Sequence, residues 1–124
     1  MVIISSAQVT RVIKYGDLTR EYLLQVKKPS RHEPGQFIQL ALDQVSPSSP
    51  WPDSRPYSIA NYSKDGLTIR IIVKKKGTFS TRIFNELVIG KECFVKYPYG
   101  ILYFLLIRII VHLSSLQQVQ EFLQ

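Results

Sequence analysis

The chain has 124 residues, 45% of them hydrophobic, enough for one domain with its own core and too few for two of ordinary size. Sixteen basic against nine acidic residues give a net charge of +7, which favours anionic partners: a phosphate-bearing cofactor, an acidic protein, nucleic acid or a membrane surface. Cys93 is the only cysteine, which excludes an internal disulfide and a cysteine metal cluster and suits a reducing, cytoplasmic setting.

The opening Met1-Val-Ile-Ile-Ser-Ser lacks the basic start and long apolar core of a secretory signal and reads as the beginning of a strand. Alternation and β-branched content predict strands near residues 2–14, 20–28, 36–42, 56–62, 67–74 and 92–97. Tyr15-Gly16-Asp17 and Lys64-Asp65-Gly66 read as hairpin turns, and Glu33-Pro34-Gly35 as a tight turn feeding the third strand. Val45 to Ser54, with three prolines and four serines, is a surface loop. One short helix is predicted from Ser80 to Leu87, with Ile83, Phe84 and Leu87 on its apolar face and Ser80 or Thr81 as its cap. Six short antiparallel strands and one capping helix point to a mainly β fold, a closed or nearly closed Greek-key barrel.

Three stretches carry chemistry. In Arg55-Pro56-Tyr57-Ser58, Pro56 fixes its own φ and pushes Arg55 toward extended geometry, so a planar cation is held out from the backbone where it can clasp a diphosphate. Tyr57 offers an apolar plate for a heteroaromatic ring and Ser58 a hydroxyl for a ring-edge nitrogen. Strand alternation puts Arg55 and Tyr57 on one face and Ser58 on the other, so all three meet one ligand only at the end or edge of a strand. Alone, the segment reads equally well as an edge strand with a packed tyrosine and a solvated arginine. In Gly77-Thr-Phe79-Ser80-Thr81, the glycine permits a turn, and the helix start that follows offers free N–H groups and two hydroxyls to a phosphate. An ordinary capped helix closing one end of a barrel explains the same residues. Lys74-Lys75-Lys76 just before it raises the local positive potential, although such a run is usually a solvated strand end. Lys96-Tyr97-Pro98-Tyr99-Gly100 is a strand ending in a turn.

In this order, with Gly35-Gln-Phe-Ile-Gln-Leu ahead of them, these segments resemble the flavin-binding domain of the ferredoxin-NADP reductase family over roughly residues 1–100. The resemblance implies a six-stranded antiparallel barrel holding FAD. Arg55 and Pro56 would serve the pyrophosphate, Tyr57 would stack on the isoalloxazine, and Ser58 would sit near its reactive nitrogen as the catalytic hydroxyl. The backbone of Ile72, Val73 and Lys74 would border the flavin, and Gly77, Phe79, Ser80 and Thr81 the phosphates. Where Tyr97 stands, the family commonly has glycine. The implied electron donor is NAD(P)H, and the implied acceptor an iron–sulfur or similar, acidic, one-electron carrier.

Residues 101–124 depart from the family, which continues into a nucleotide-binding lobe with a glycine-rich loop. Here an apolar run, Ile101 to Ser115, is followed by a glutamine-rich end. A membrane anchor is disfavoured, because Arg108 and His112 interrupt a run already shorter than the ~20 residues a spanning helix needs. A packing or partner-seeking helix competes with a strand through Ile107, Ile109, Ile110 and Val111. A third reading is a shift of reading frame. If the glutamines of Leu116-Gln-Gln-Val-Gln-Glu-Phe-Leu-Gln use the codon ending in G, the shifted phase can spell Ala-Ala-Gly-Thr-Gly-Ile-Ser-Pro, a phosphate-binding loop. The 124 residues alone are expected to turn over little as a reductase. Two other readings rank behind: a small basic barrel stacking single-stranded nucleic acid on Tyr57, Phe79 and Tyr99, and a noncatalytic electron-transfer subunit.

Overall fold

The computed structural model describes residues 2–100 and 109–113. Strand β1 spans Ile3–Lys14, β2 Thr19–Val26, β3 Phe37–Ala41, β4 Ser54–Ser58, β5 Thr68–Lys74 and β6 Glu92–Tyr99, with helix α1 at Thr78–Glu86 between the last two strands. Residues 109–113 form a second helical stretch, so this part of the tail is helix and not strand. The readings that rest on Ile101 to Arg108 or on Ser114 to Gln124 lie outside the described residues.

All strand pairs are antiparallel, in the spatial order β4-β3-β6-β1-β2-β5. The period of two decides which side chains enter the barrel: Ser5, Ala7 and Val9 on β1, Tyr22, Leu24 and Val26 on β2, Ile69, Ile71 and Val73 on β5, and Cys93, Val95 and Tyr97 on β6 are all buried. Strand β1 turns a corner of the barrel. It pairs with β6 from Ile3 to Gln8 and with β2 from Ala7 to Lys14, with an irregularity between Val9 and Arg11 where it bends.

Helix α1 plugs one end of the barrel with Phe79, Ile83 and Phe84, and Leu87 follows them into the core. Arg20 on β2 holds the far end of this helix. Its Nη1 donates to the Phe84 carbonyl at 2.9 Å and its Cζ lies 4.3 Å from the Phe84 ring centre. At the opposite end of the sheet, Gly66 takes φ +70° in the β4–β5 connection, and a Cβ there would stand 2.9 Å from the Ser30 carbonyl oxygen.

The barrel is not fully closed. Strands β4 and β5 are the two edges of the sheet and meet in a seam. The seam is stitched at one end only, where Ala60 N–H donates to the Arg70 carbonyl at 2.8 Å and Asn61 both donates to the Thr68 carbonyl and accepts from the Arg70 N–H. This explains why β4 stops at Ser58 and not at the expected residue 62: beyond Ser58 the backbone leaves β3 and bonds to Gln36 and then to β5. Toward Arg55 and Lys74 the edges part, and Pro56, with no N–H to give, cannot help close them.

Candidate functional site

The open half of the β4–β5 seam is a groove of about 640 Å3, roofed at one end by the start of α1. Strand β4 contributes Arg55, Pro56 and Tyr57, strand β5 contributes Ile72 and Lys74, the approach to the helix contributes Lys76 and Gly77, and its first turn contributes Thr78, Phe79 and Ser80. Three segments separated in sequence thus meet on one concavity because two sheet edges fail to pair. Alternation required a strand's end or edge for Arg55, Tyr57 and Ser58 to meet one ligand; β4 is an edge strand that ends at Ser58, but of these three only Arg55 and Tyr57 line the groove.

Arg55 is held by three contacts. Its Nη1 donates to the Asp53 carboxylate and to the Ser54 carbonyl, the latter at 2.8 Å, and its Cζ lies 5.1 Å from the centre of the Phe79 ring. Phe79 is buried in the core, so it is a fixed shelf beneath a half-exposed cation. Tyr57 is half-buried and packed against the core. Burial pushes its phenol above the usual tyrosine range, with the nearby Arg55 charge working the other way, so at neutral pH it is an uncharged ring with a hydroxyl.

The helix begins two residues earlier than predicted, at Thr78, with extended Gly77 as its N-terminal flank. Ser80 therefore does not cap by reaching forward. Its oxygen reaches back, accepting from Lys76 N–H at 2.7 Å and Gly77 N–H at 3.0 Å while donating to the Gly77 carbonyl at 3.2 Å. The Ser80 hydroxyl is thereby fully committed. What the helix start has left to offer an anion is the backbone N–H groups of its first turn, which have no carbonyl in the preceding turn to bond. Thr81 N–H already donates to the Gly77 carbonyl at 2.9 Å, and Thr81 does not line the groove. Gly77 is not needed for its dihedrals, since φ −162° is open to any residue. A Cβ there would meet no protein atom within 4 Å, so its missing side chain keeps the wall beside the helix start open.

Of the residues singled out in the sequence, Arg55, Pro56, Tyr57, Ile72, Lys74, Gly77, Phe79 and Ser80 converge on the groove. Val73 points into the core, so only its backbone can border the seam. Ser58 is exposed at the end of β4, opposite Phe37, and is not part of the lining. Lys76 and Thr78 line the groove and were not among the expected contacts. Placing the helix start at Thr78 would have found both. Tyr57, Phe79 and Tyr99 do not form a stacking platform for bases: Phe79 is covered and Tyr99 is already stacked on Phe37 at 5.3 Å. Among the described residues no group of acidic, histidine or cysteine side chains could hold a metal ion, and no helix is long and apolar enough to cross a membrane.

Residues 5–102 match the family model described as FAD-binding domain. Among solved structures, the chain is similar to the ferredoxin reductase in carbazole 1,9a-dioxygenase, at 25% identity and a TM-score of 0.69, covering 80% of this chain and 29% of that one. It is similar at 25% identity and a TM-score of 0.64 to the cytochrome P450 reductase GcoB of Amycolatopsis, again over 80% of this chain and 29% of that one. The fold also matches the flavohem-like FAD/NAD binding domain of nitric oxide dioxygenase from Vibrio cholerae O1 biovar El Tor, at 22% identity and a TM-score of 0.64, over 77% of this chain and 44% of that one. The chain thus spans less than half the length of each of these structures. No curated protein matches it.

Proposed function

The chain belongs to the FAD-binding domain family, and on that premise we propose that its FAD lies in the groove at the β4–β5 seam, with the diphosphate at Arg55 and the helix start and the ring system against Tyr57. The residues present fit the group. The groove falls within the roughly 300–1,000 Å3 of ligand pockets, its lining carries Arg55, Lys74 and Lys76 with no acidic side chain, and Gly77 leaves room for close approach to free backbone donors. The convergence of Arg55, Tyr57 and the helix start on one concavity is the observation that carries this reading.

When bound, the flavin supplies acceptance of two electrons together and their release one at a time. The chain's own share is binding and shielding. Arg55 and the first-turn N–H groups neutralise the diphosphate, Ile72 gives an apolar wall, and Tyr57 covers a ring face from water. Ser58, exposed just past Tyr57, would offer its hydroxyl to a ring edge if the ring extended beyond the groove along β4. The backbone of Ile72, Val73 and Lys74 would border the same ring, and Thr81, whose N–H is bonded to the Gly77 carbonyl, would support the helix turn that faces the phosphates.

In the whole protein we assign this domain to electron transfer from NAD(P)H to a one-electron carrier, an acidic iron–sulfur or similar protein suited to a chain of net charge +7. A reducing cytoplasm suits its lone buried thiol. The binding assignment is tested by Arg55→Ala, which is expected to weaken FAD far more than FMN because the diphosphate is the group that loses its partner. Equal weakening of both flavins would reject the role given to Arg55.

A further inference from the structure

Asp53 stands two residues before Arg55, at a bend just ahead of β4 that brings the two side chains together. Its Oδ1 accepts a hydrogen bond from Arg55 Nη1. Among the described residues, the other paired or hydrogen-bonded carboxylates are engaged away from the groove: Asp43 and Glu86 hold Arg82, Glu21 stands 3.3 Å from Arg70 Nε, and Asp65 accepts from Ser63 and the Leu67 N–H. Asp53 is the carboxylate set directly against a groove cation. The guanidinium has two further contacts, the Ser54 carbonyl at 2.8 Å and the Phe79 ring at 5.1 Å, that do not involve Asp53.

We propose that Asp53 is a built-in competitor for the anion site, an internal counter-ion that occupies Arg55 in the free protein and is displaced when a diphosphate arrives. This rests on the reading of the groove as the FAD site. The effect is a tuning of affinity: each binding event exchanges one carboxylate partner of Arg55 for another, so the ligand gains less than a free guanidinium would give it. Both side chains are half-exposed or more, at 50% for Arg55 and 61% for Asp53, which limits the pair to the weak end of ionic interactions. Release of that competition corresponds to a gain of about 1.5- to 5-fold in affinity at low salt. The gain shrinks as ionic strength rises, since an exposed pair is screened.

The test is a double-mutant cycle on the full chain, following FAD binding by quenching of flavin fluorescence in wild type, Asp53→Asn, Arg55→Gln and the double variant, with circular dichroism to establish that each is folded. Asp53→Asn is expected to bind FAD about 1.5- to 5-fold more tightly than wild type, and the same change in the Arg55→Gln background to do nothing. Unchanged or weaker binding by Asp53→Asn overturns the proposal, because the carboxylate would then be neutral to the site or part of its support. An equal gain in both backgrounds also overturns it, since Asp53 would act only through the general field. Failure of wild type to bind FAD overturns the reading of the groove itself, whereas binding without tightening overturns this inference alone.

Discussion

Phe79 has two duties that substitution can separate. It is 7% exposed within the core cluster, and its ring lies beneath the Arg55 guanidinium, 5.1 Å from Cζ. Truncation to alanine removes a buried aromatic ring, a change of about 3–5 kcal/mol. Against the roughly 5–15 kcal/mol that holds a typical domain together, this threatens the fold, so loss of ligand binding in that variant would not identify the cause. Phe79→Leu keeps most of the apolar volume and costs about 1.5 kcal/mol or less in stability. It removes the ring face, however, and a half-exposed cation–π contact is worth about 0.5–1 kcal/mol, or about a 2- to 5-fold loss of FAD affinity if that contact aims Arg55. Urea unfolding followed by circular dichroism reads the stability of both variants, and FAD fluorescence titration reads affinity. The expectation is a folded leucine variant with the stated loss of binding and a markedly destabilised alanine variant. A leucine variant that binds as wild type would show that the ring does not orient Arg55, and an alanine variant of unchanged stability would contradict its place in the core.

Ser80→Ala should destabilise by about 1–3 kcal/mol, because the Lys76 and Gly77 N–H groups lose their shared acceptor, two part-buried hydrogen bonds of about 0.5–1.5 kcal/mol each. An unchanged urea midpoint would refute this. Gly66→Ala should cost more than Gly16→Ala: both residues have positive φ and incur the left-handed penalty of about 1–2 kcal/mol, but only at Gly66 would the new Cβ stand 2.9 Å from a backbone oxygen. Equal midpoints for the two variants would contradict the close approach to Ser30. Burial pushes the Cys93 thiol up to about 12 from 9.0 and the Tyr97 phenol up to about 12 from 10.0. Between about pH 9 and about pH 12 the folded chain then holds protons that the unfolded chain gives up, so stability falls as pH rises through that window. Thermal midpoints that stay level or climb across it would overturn the assignment, as would rapid native-state labelling of Cys93 by a thiol reagent.

Period-two burial made most of the barrel readable from the sequence: Ile69, Ile71 and Val73 alternate with Thr68, Arg70 and Ile72, and no competing pattern interferes. Boundaries failed where the chain changes partners. Residues after Ser58 look like strand in the sequence, yet they serve the stitch to Arg70 and Thr68, a long-range choice that local propensity does not encode. Ser80 misled the helix start because a serine before an apolar face usually caps forward, whereas here it satisfies the chain behind it. The types of residue in the groove were legible as cation, plate and helix start. Their meeting was not, because it depends on an unpaired seam between β4 and β5. The Asp53–Arg55 pair and the Phe79 shelf belong to the same category: the residues are visible in the sequence, but their contacts exist only once α1 and β4 are brought together.

The most direct test is titration of the folded chain with FAD, followed by flavin fluorescence and by the absorption bands that co-migrate with protein on gel filtration. The account predicts saturable binding of one FAD per chain, weakened by Arg55→Ala, with a flavin spectrum that Tyr57→Ala shifts. A chain that is folded by circular dichroism and takes up no FAD at saturating concentration would contradict it.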